Sequence, residues 1–334
     1  MNETVTNKSM GKIDAVLSSR VRLARNIDGI PFPVRLNSVE KHSINERICS
    51  ILSSSGLVAV DMSSLYPYEV ISLAERHLIS PEFASFTDGR TLILSEDETI
   101  SIMLCERDHV RIQGIENGLE LERAYENADR LDDILNEKLC FAFDSKLGFL
   151  NQNPGDIGTG MRASVLMHLP ALSKSGAMTK ILATAQKLGF NIRGSYGDAA
   201  SVKGDIFRIG NSLTMGISER EAIENLKTLV LQIATRERDA AEKFVGDISV
   251  RDRINRSAGI IRNAVLMSAD EMMDLLSWVR LGALYGVCEA DCELISKFFV
   301  TLQPATINVL AKRKLPDEIK DEIRATTVKQ IFPE

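Results

Sequence analysis

The sequence lacks the features that identify several large classes of protein. It contains no stretch of about 18 consecutive apolar residues, which excludes a transmembrane helix. The first residues, MNETVTNKSMGK, are polar and lack the apolar segment of a signal peptide. We therefore expect a cytoplasmic protein that does not bind a membrane.

Patterns typical of metal sites, nucleic-acid-binding surfaces and two common kinds of kinase are also absent. The five cysteines are scattered and odd in number, which favours free thiols, and Cys288 and Cys292 have no histidine beside them to complete a metal site. The net charge of −6 argues against a general nucleic-acid-binding surface. The chain has no GxxxxGK[ST] phosphate-binding loop and no HRD or DFG string, so P-loop enzymes and protein kinases of the HRD type are excluded.

The pattern of apolar residues predicts an α+β protein with a helical C-terminal part. Helices are predicted at 38–52, 67–78, 119–143, 177–188 and 218–244, and strands at 91–94, 100–105, from 110, at 161–169 and within 192–216. After Gly246 the strand signals nearly vanish. We therefore predict a loose tail (1–12), a catalytic-type domain (13–246) and a small all-helical domain (250–334).

Five arginines in short distinctive strings are the most informative residues. They are Arg20 and Arg22 in SSRVR, Arg111 in DHVRIQ, Arg162 in GTGMRASV and Arg193 in RGSYGD. A guanidinium group stays protonated in a protein, and its planar fork matches phosphate oxygens two at a time. Several such forks from distant segments predict a binding surface for a highly charged anion such as a triphosphate.

The strings and their order resemble the ATP:guanidino phosphotransferases, the family of the arginine and creatine kinases. The resemblance rests on VLSSRVRLARN, CERDHVRIQ, GTGMRASVLMHLPAL, RGSYGD and GNSLTMGISE, from about Val16 to about Phe244. HLISPE and the spelling GTGMRAS look most like the bacterial protein-arginine kinase branch, the McsB type. The resemblance implies a largely antiparallel sheet flanked by helices, followed by a helical domain that mediates dimerisation.

The resemblance also implies that the protein binds ATP with Mg²⁺. It assigns the five arginines to the phosphates and His77 to the neighbourhood of the base, with Mg²⁺ held mainly by the phosphates and water. The implied ATP-binding residues are Ser18, Ser19, Arg20, Val21, Arg22, His77, Arg111, Arg162, Ala163, Ser164, Val165, Leu166, Arg193, Gly194, Ser195, Tyr196, Gly197 and Asp198.

The end of the site that would bind a guanidine departs from the family pattern. A guanidinium is a poor nucleophile and needs carboxylates that align it and remove a proton. The family uses two glutamates, which are Arg107 and Asp198 here, and Asn153 stands in place of a reactive cysteine. We predict Asp198 as the catalytic carboxylate and Glu106 as a second candidate, although on a strand Glu106 would point away from the face of Arg107.

A C-terminal string resembles the RDxxRA element that senses phosphoarginine in McsB-type enzymes. Its residues are Lys320, in place of the first arginine, Asp321, Arg324 and Ala325. The alternative is an ordinary charged helix face. The family resemblance further implies arginine-bearing protein substrates, a homodimer, a zinc-binding activator and a Clp-type unfoldase in protein quality control.

Three functions remain open on the sequence alone. The first is a protein-arginine kinase that uses Mg·ATP. The second is a pseudokinase that binds nucleotide or phosphoarginine as a regulatory partner, and its main support is Arg107. The third is a free-arginine kinase, in which a helical domain would precede the catalytic domain, whereas SSRVR starts here at residue 18.

Overall fold

The fold is built on one large antiparallel sheet. The computed structural model describes residues 14–196 and 202–333, so the predicted tail (1–12), Gly197 and Asp198 lie outside the described residues. The described strands are β1 (Val16–Arg25), β2 (Val58–Asp61), β3 (Thr91–Leu94), β4 (Ile100–Leu104), β5 (Val110–Asn117), β6 (Phe143–Asp144), β7 (Gly148–Phe149), β8 (Met161–His168), β9 (Phe190–Gly194) and β10 (Ile206–Asn211). Eight of them form the sheet in the order β2-β3-β4-β5-β1-β8-β10-β9, and β6 and β7 form a small hairpin.

Helices pack on both faces of this sheet. The described α-helices are α1 (Ser38–Leu52), α2 (Pro67–Glu75), α3 (Pro81–Ala84), α4 (Leu121–Leu139), α5 (Pro170–Lys174), α6 (Met178–Lys187), α7 (Glu219–Val245), α8 (Ile248–Asn263), α9 (Ala269–Leu284), α10 (Cys292–Thr301), α11 (Pro304–Leu310) and α12 (Asp317–Val328). None of the described helices is long and apolar enough to span a membrane.

The two faces of β1 show how the sheet separates its core from its polar surface. Side chains alternate between the faces of a strand. Val21 and Leu23 are fully buried in the main hydrophobic core, which α1, α4, α6 and α7 complete on that side. Arg20 and Arg22 therefore project from the opposite face, where both are half-buried.

Two groups of helices cover parts of the opposite face and leave the rest of it open. Helices α2 and α3 pack over Leu92 of β3 and Met103 of β4. The C-terminal helices pack over Leu166 of β8 and Ile206 of β10, in a cluster that also contains Tyr196. Helices α8, α9, α10 and α12 thus share a hydrophobic core with the sheet.

Most predicted elements agree with the structure. The helix predicted at 38–52 has those bounds, and Ser218 caps α7 in a capping box with Glu221 as predicted. Residues 246–333 contain helices and no strand, which confirms the helical C-terminal part. None of the cysteines in the described residues forms a disulfide.

Three predicted elements run into or past a non-glycine residue with positive φ that follows the true end of each. Such a backbone conformation breaks a helix or a strand, and amino-acid propensity rarely reveals it. The corrected ends are Glu75 instead of Leu78 (His77, φ 61°), Leu139 instead of Phe143 (Cys140, φ 54°) and Leu104 instead of Cys105 (Cys105, φ 59°). The strand predicted at 161–169 ends at His168, and the helix predicted at 177–188 spans Met178–Lys187.

Candidate active site

Arginines face one another across neighbouring strands on the uncovered part of the sheet. Arg22 of β1 lies directly opposite Arg162 of β8, and Arg193 of β9 lies directly opposite Arg208 of β10. Like charges at such positions destabilise a sheet. Together with Arg20 they line a cavity of about 310 Å³. The other lining residues are Ala163, Ser164, Asn191, Gly210, Asn211 and Ser212.

The positive charges in this cavity destabilise one another. Burial, followed by the charges of Arg208, Arg22 and Arg193, lowers the pKa of Arg20 well below its usual value. Burial and then Arg193 lower the pKa of Arg208 to about 10. Positive charges held this close repel one another, and the repulsion raises the free energy of the cavity without a ligand. A bound anion with several negative charges would relieve that repulsion.

Arg162 is held in place at one end of the cavity. Its Nε donates to Asp156 Oδ1 at 2.6 Å, Nη1 to the main-chain oxygen of Asn211 at 3.0 Å and Nη2 to that of Gly155 at 2.6 Å. Asn153 Nδ2 donates to the other oxygen of Asp156 at 3.0 Å. Burial opposes ionisation of Asp156, but the charge and hydrogen bond of Arg162 outweigh it, and the pKa of Asp156 is lowered. Asn153 therefore positions the carboxylate that orients Arg162.

Arg111 lies beside the cavity and does not line it. It is 5% exposed, and its Nη1 donates to Glu106 Oε2 at 2.7 Å and its Nη2 to Asp108 Oδ2 at 3.2 Å. The charge of Arg111 acts on Arg22, which lines the cavity. Burial is the largest cause that lowers the pKa of Arg22 to about 10, and the charge of Arg111 is the next largest.

Glu106 is buried and Arg107 is exposed. The sequence predicted that the two side chains differ because they alternate along a strand, and that reason is wrong. Residues 105–109 form a bend, so the alternation of a strand does not decide where these side chains point. Both carboxylate oxygens of Glu106 have partners, since Oε2 accepts from Arg111 and Oε1 accepts from Ser80 Oγ at 3.1 Å.

Two rings mark the opposite end of the cavity. The rings of His77 and Tyr196 lie 4.8 Å apart, and His77 Nε2 is 3.2 Å from Ser195 Oγ. The main-chain oxygen of His77 accepts from Arg20 Nη1 at 3.4 Å. Burial, and then the charges of Arg208 and Arg20, lower the pKa of His77 well below its usual value, so the imidazole is neutral.

Several predicted ATP-binding residues face away from the cavity. The side chains of Val21 and Val165 are fully buried in the main core on the other side of the sheet. The hydroxyl group of Ser19 is also buried there, where it donates to the main-chain oxygen of Gly118 at 2.7 Å and accepts from the main-chain N–H of Glu120 at 3.0 Å. The Ser19 hydroxyl is thus engaged within the protein, and the assignment of Ser19 to ATP binding stays a prediction that rests on its main chain.

Three further predicted residues lie near the edge of the arginine-bearing face. Leu166 packs against the C-terminal helices, and Gly194 ends β9 next to Arg193. Ser18 is half-buried and lies two residues before Arg20 on β1, on the same face of the sheet.

Arg208 is the cavity-lining arginine that the motifs did not predict. It lies in the alternating string IFRIG of β10, and alternation alone places it on either face. Only the pairing of β10 with β9 brings it opposite Arg193.

The C-terminal string at residues 320–325 is anchored in the protein interior by Arg324 and Ala325. Arg324 is 1% exposed and donates to the main-chain oxygens of Leu302 at 3.0 Å and Met267 at 2.7 Å. It also donates to Asp321 Oδ1 at 2.6 Å, and Lys320 pairs with Asp317. Ala325 is fully buried. Recognition of phosphoarginine by these residues stays a prediction.

The fold is shared with solved kinases of guanidino compounds. The crystal structure of lombricine kinase superposes with a TM-score of 0.60 at 23% sequence identity, and the match covers 71% of this chain and 70% of that chain. The duplicated taurocyamine kinase from Schistosoma mansoni gives a TM-score of 0.61 at 19% identity over 76% of this chain and 39% of that chain. These likenesses define the fold class, an antiparallel sheet of the guanidino kinase type.

Sequence comparison defines the family. Residues 40–240 match the ATP:guanido phosphotransferase C-terminal catalytic domain, and residues 247–334 match the protein-arginine kinase McsB C-terminal domain. The protein-arginine kinase of Halothermothrix orenii is 41% identical over 322 residues, which cover 95% of this chain and 92% of that protein. That of Caldanaerobacter subterraneus subsp. tengcongensis is 38% identical over 94% of this chain and 96% of that protein. The chain belongs to the ATP:guanido phosphotransferase family, as the motifs indicated.

Proposed function

We propose that the protein is a protein-arginine kinase that transfers the γ-phosphoryl group of ATP to arginine side chains of proteins. The observation that supports this most strongly is the arginine-lined cavity on the open face of the sheet. The relatives named protein-arginine kinase match nearly the whole chain, including the C-terminal helices. The pseudokinase alternative receives no support from these comparisons.

The cavity suits the phosphates of ATP. Catalysis of phosphoryl transfer consists mostly of positioning and electrostatic stabilisation, which fixed guanidinium groups supply. The residues described contain no group of three His, Cys, Asp or Glu that could hold a metal. Mg²⁺ would therefore be held mainly by phosphate oxygens and water, which is its usual coordination beside a nucleotide.

We infer the orientation of ATP from the two ends of the cavity. The carboxylates Asp156 and Glu106 raise the pKa of Arg22, so they lie near the end formed by Arg22 and Arg162. A substrate guanidinium would approach that end, and the γ-phosphate with it. The base would lie towards the neutral ring of His77.

We propose that Asp198 aligns the substrate guanidinium. The nearby described carboxylates Asp156 and Glu106 are each ion-paired with an arginine, so they already have partners within the protein. Arg107, exposed beside them, would repel a guanidinium. Phosphotransfer is therefore expected to be slow, because a missing general base lowers a rate by about 10² to 10⁴.

We further propose a cytoplasmic homodimer that acts on protein substrates, with a zinc-binding activator and a Clp-type unfoldase as partners. Exposed apolar side chains at the end of α8 and just after it, Ile260, Val265 and Leu266, support a protein–protein contact in this region.

The activity is tested by incubating the protein with Mg·ATP and an arginine-rich protein, followed by mass spectrometry for acid-labile phosphoarginine. An Arg162→Ala variant serves as the blank, after circular dichroism has established that it is folded. Phosphoarginine above the blank is the expected result. Its absence from folded wild-type protein that binds ATP would contradict the proposed activity and favour a regulatory nucleotide-binding role.

A further inference from the structure

We propose that Arg208 binds the nucleotide phosphates nearest the base and so determines nucleotide affinity, without a part in the transfer step. The inference rests on the proposed binding of ATP in the cavity. It adds to the five arginines of the motifs a sixth guanidinium that none of them contains.

The position of Arg208 in the sheet supplies the first support. The residue is half-buried and lines the cavity, directly opposite Arg193 in the β9–β10 ladder. Its Nη2 donates to Ser195 Oγ at 3.3 Å, so the guanidinium lies beside the hydroxyl that also contacts His77. Arg208 therefore lies at the end of the cavity that carries the rings.

The surroundings of Arg208 differ from those of the structural arginines in the same chain. Arg25 and Arg111 are buried, and each makes an ion pair with a carboxylate, Asp132 and Glu106 respectively. Within the residues that the structure describes, Arg208 makes no ion pair, and its strongest charged neighbour is Arg193, which repels it. A buried charge is stable when it is paired, so a partner is expected to come from a ligand.

The surroundings of Arg208 place it nearer the end with the rings than the reacting end. Beyond the effect of burial, its charge lowers the pKa of Arg20 and of His77, and the pKa of Arg208 itself is lowered more by Arg193 than by Arg22. Arg22 is affected by Arg111, Asp156 and Glu106 at the other end. With the base towards His77, the α- and β-phosphates come next to Arg208, and the γ-phosphate lies towards Arg22 and Arg162. Arg208 should then contribute equally to binding of ATP and ADP.

The test is to replace Arg208 by Met, which keeps much of the side-chain length, and to measure the Kd values of Mg·ATP and Mg·ADP by calorimetry. Loss of a charge-assisted contact should weaken both by roughly 10- to 100-fold. In phosphoarginine formation the KM for ATP should rise by a similar factor, while kcat changes much less. Arg208→Lys retains the charge but not the fork, so its Kd should lie between those of the wild type and Arg208→Met.

Thermal unfolding distinguishes a binding role from a structural one. Removal of a repelled charge should leave the Tm of the nucleotide-free protein unchanged or higher, while the rise in Tm on addition of ATP becomes smaller. Arg220→Met, on the exposed surface of α7 where Arg220 pairs with Glu224, is the matched control and should preserve both values.

The outcomes distinguish an error in the proposed function from an error in the proposed role of Arg208. If wild-type protein binds neither nucleotide, the proposed function is wrong and the role of Arg208 is wrong with it. If the wild type binds and Arg208→Met binds equally well, only the role of Arg208 is wrong. A lower Tm of the nucleotide-free variant with an unchanged response to ATP would identify Arg208 as a structural residue instead.

Discussion

Thr306 binds the carboxylate of Glu75 and so connects the C-terminal helices to the candidate nucleotide site. The main-chain N–H of Thr306 donates to Glu75 Oε2 at 2.8 Å and its hydroxyl group donates to the same oxygen at 2.9 Å. Ala305 donates to the other oxygen at 3.0 Å. The negative charge of the carboxylate thus balances the partial positive charge at the N-terminal end of α11. Glu75 is the last residue of α2, two positions before His77, so these bonds attach α11 to the segment that carries His77.

The first prediction concerns this connection. Thr306→Val keeps the shape of the side chain but removes the hydroxyl that contacts Glu75 and lies 3.1 Å from Ser72 Oγ. The free energy of unfolding should fall by about 1–2 kcal/mol, because two hydrogen bonds inside the protein are lost. The KM for ATP should rise, since His77 loses part of its support. Denaturant titration and steady-state kinetics measure the two effects.

The control for this prediction is Thr235→Val on the exposed side of α7, where the hydroxyl bonds only to the main-chain oxygen of Leu231. It should change neither the KM nor, by more than about 0.5 kcal/mol, the stability. A Thr306→Val protein that loses stability but keeps its KM for ATP would show that Thr306 fastens α11 without influencing the site.

The second prediction concerns Arg107. Reverting Arg107→Glu restores the family carboxylate and removes a charge that repels a guanidinium. The rate of phosphoarginine formation should rise by about 10² to 10⁴, the usual contribution of a positioned general base. ATP binding should not change, because Arg107 is exposed and does not line the cavity. Mass spectrometry of a substrate protein over time gives the rate.

Arg107→Gln is the matched control, since it removes the positive charge without supplying a base. A large gain from Gln alone would attribute the effect to repulsion. No gain from either variant would contradict the explanation and leave Asp198 as the carboxylate that suffices.

The sequence predicted the arginines of the cavity better than any other part of the candidate site. The motif strings identified four of the cavity-lining arginines, Arg20, Arg22, Arg162 and Arg193, because each is encoded in a local string. Arg208 was missed because its place depends on how β10 pairs with β9, and the sequence does not specify that register across the intervening segment.

The sequence also did not predict what the C-terminal helices pack against. Helical periodicity shows that a segment has an apolar face, but it does not show what that face packs against. Leu166 and Ile206 of the sheet complete this cluster. In the same way, the charged pattern of α12 did not show that Arg324 points inward, since i,i+4 spacing is the same on an exposed face.

The third prediction concerns Arg324. Arg324→Met removes a buried guanidinium and leaves the main-chain oxygens of Leu302 and Met267 without its hydrogen bonds. The free energy of unfolding should fall by about 2–4 kcal/mol, as for other losses of a buried charge-assisted network. Lys320→Ala breaks only a pair with the exposed Asp317 and should cost about 0–1 kcal/mol. Urea titration of both variants makes the comparison.

The same two variants test whether the C-terminal string binds phosphoarginine, as its resemblance to the sensing element implies. Calorimetry with a phosphoarginine peptide should show weaker binding for Lys320→Ala if the string binds the phosphate at its exposed side. Equal stability of Arg324→Met and wild type would contradict the structural role assigned to Arg324.

Glu237 is a buried carboxylate with an unusual titration. It is 5% exposed, and its two oxygens accept the main-chain N–H groups of Ala171 at 2.8 Å and Leu172 at 2.9 Å. Burial raises the pKa of Glu237 to about 7, and the nearby charge of Asp205 acts in the same direction, although the two hydrogen bonds oppose the shift.

The fourth prediction is that Glu237 makes the protein less stable as the pH rises towards neutrality. In the unfolded chain this group loses its proton near 4.5, whereas in the folded protein it keeps the proton up to about 7. Between those values folding takes up a proton, so the free energy of unfolding falls by about 1.4 kcal/mol per pH unit, and the loss is complete above the folded pKa. Glu237→Gln should remove this contribution, which urea titration at several pH values from 4.5 to 8 measures as the difference from wild type. Glu242→Gln, exposed on the same helix, should leave the pH dependence unchanged, and a Glu237→Gln profile parallel to that of the wild type would contradict the raised pKa.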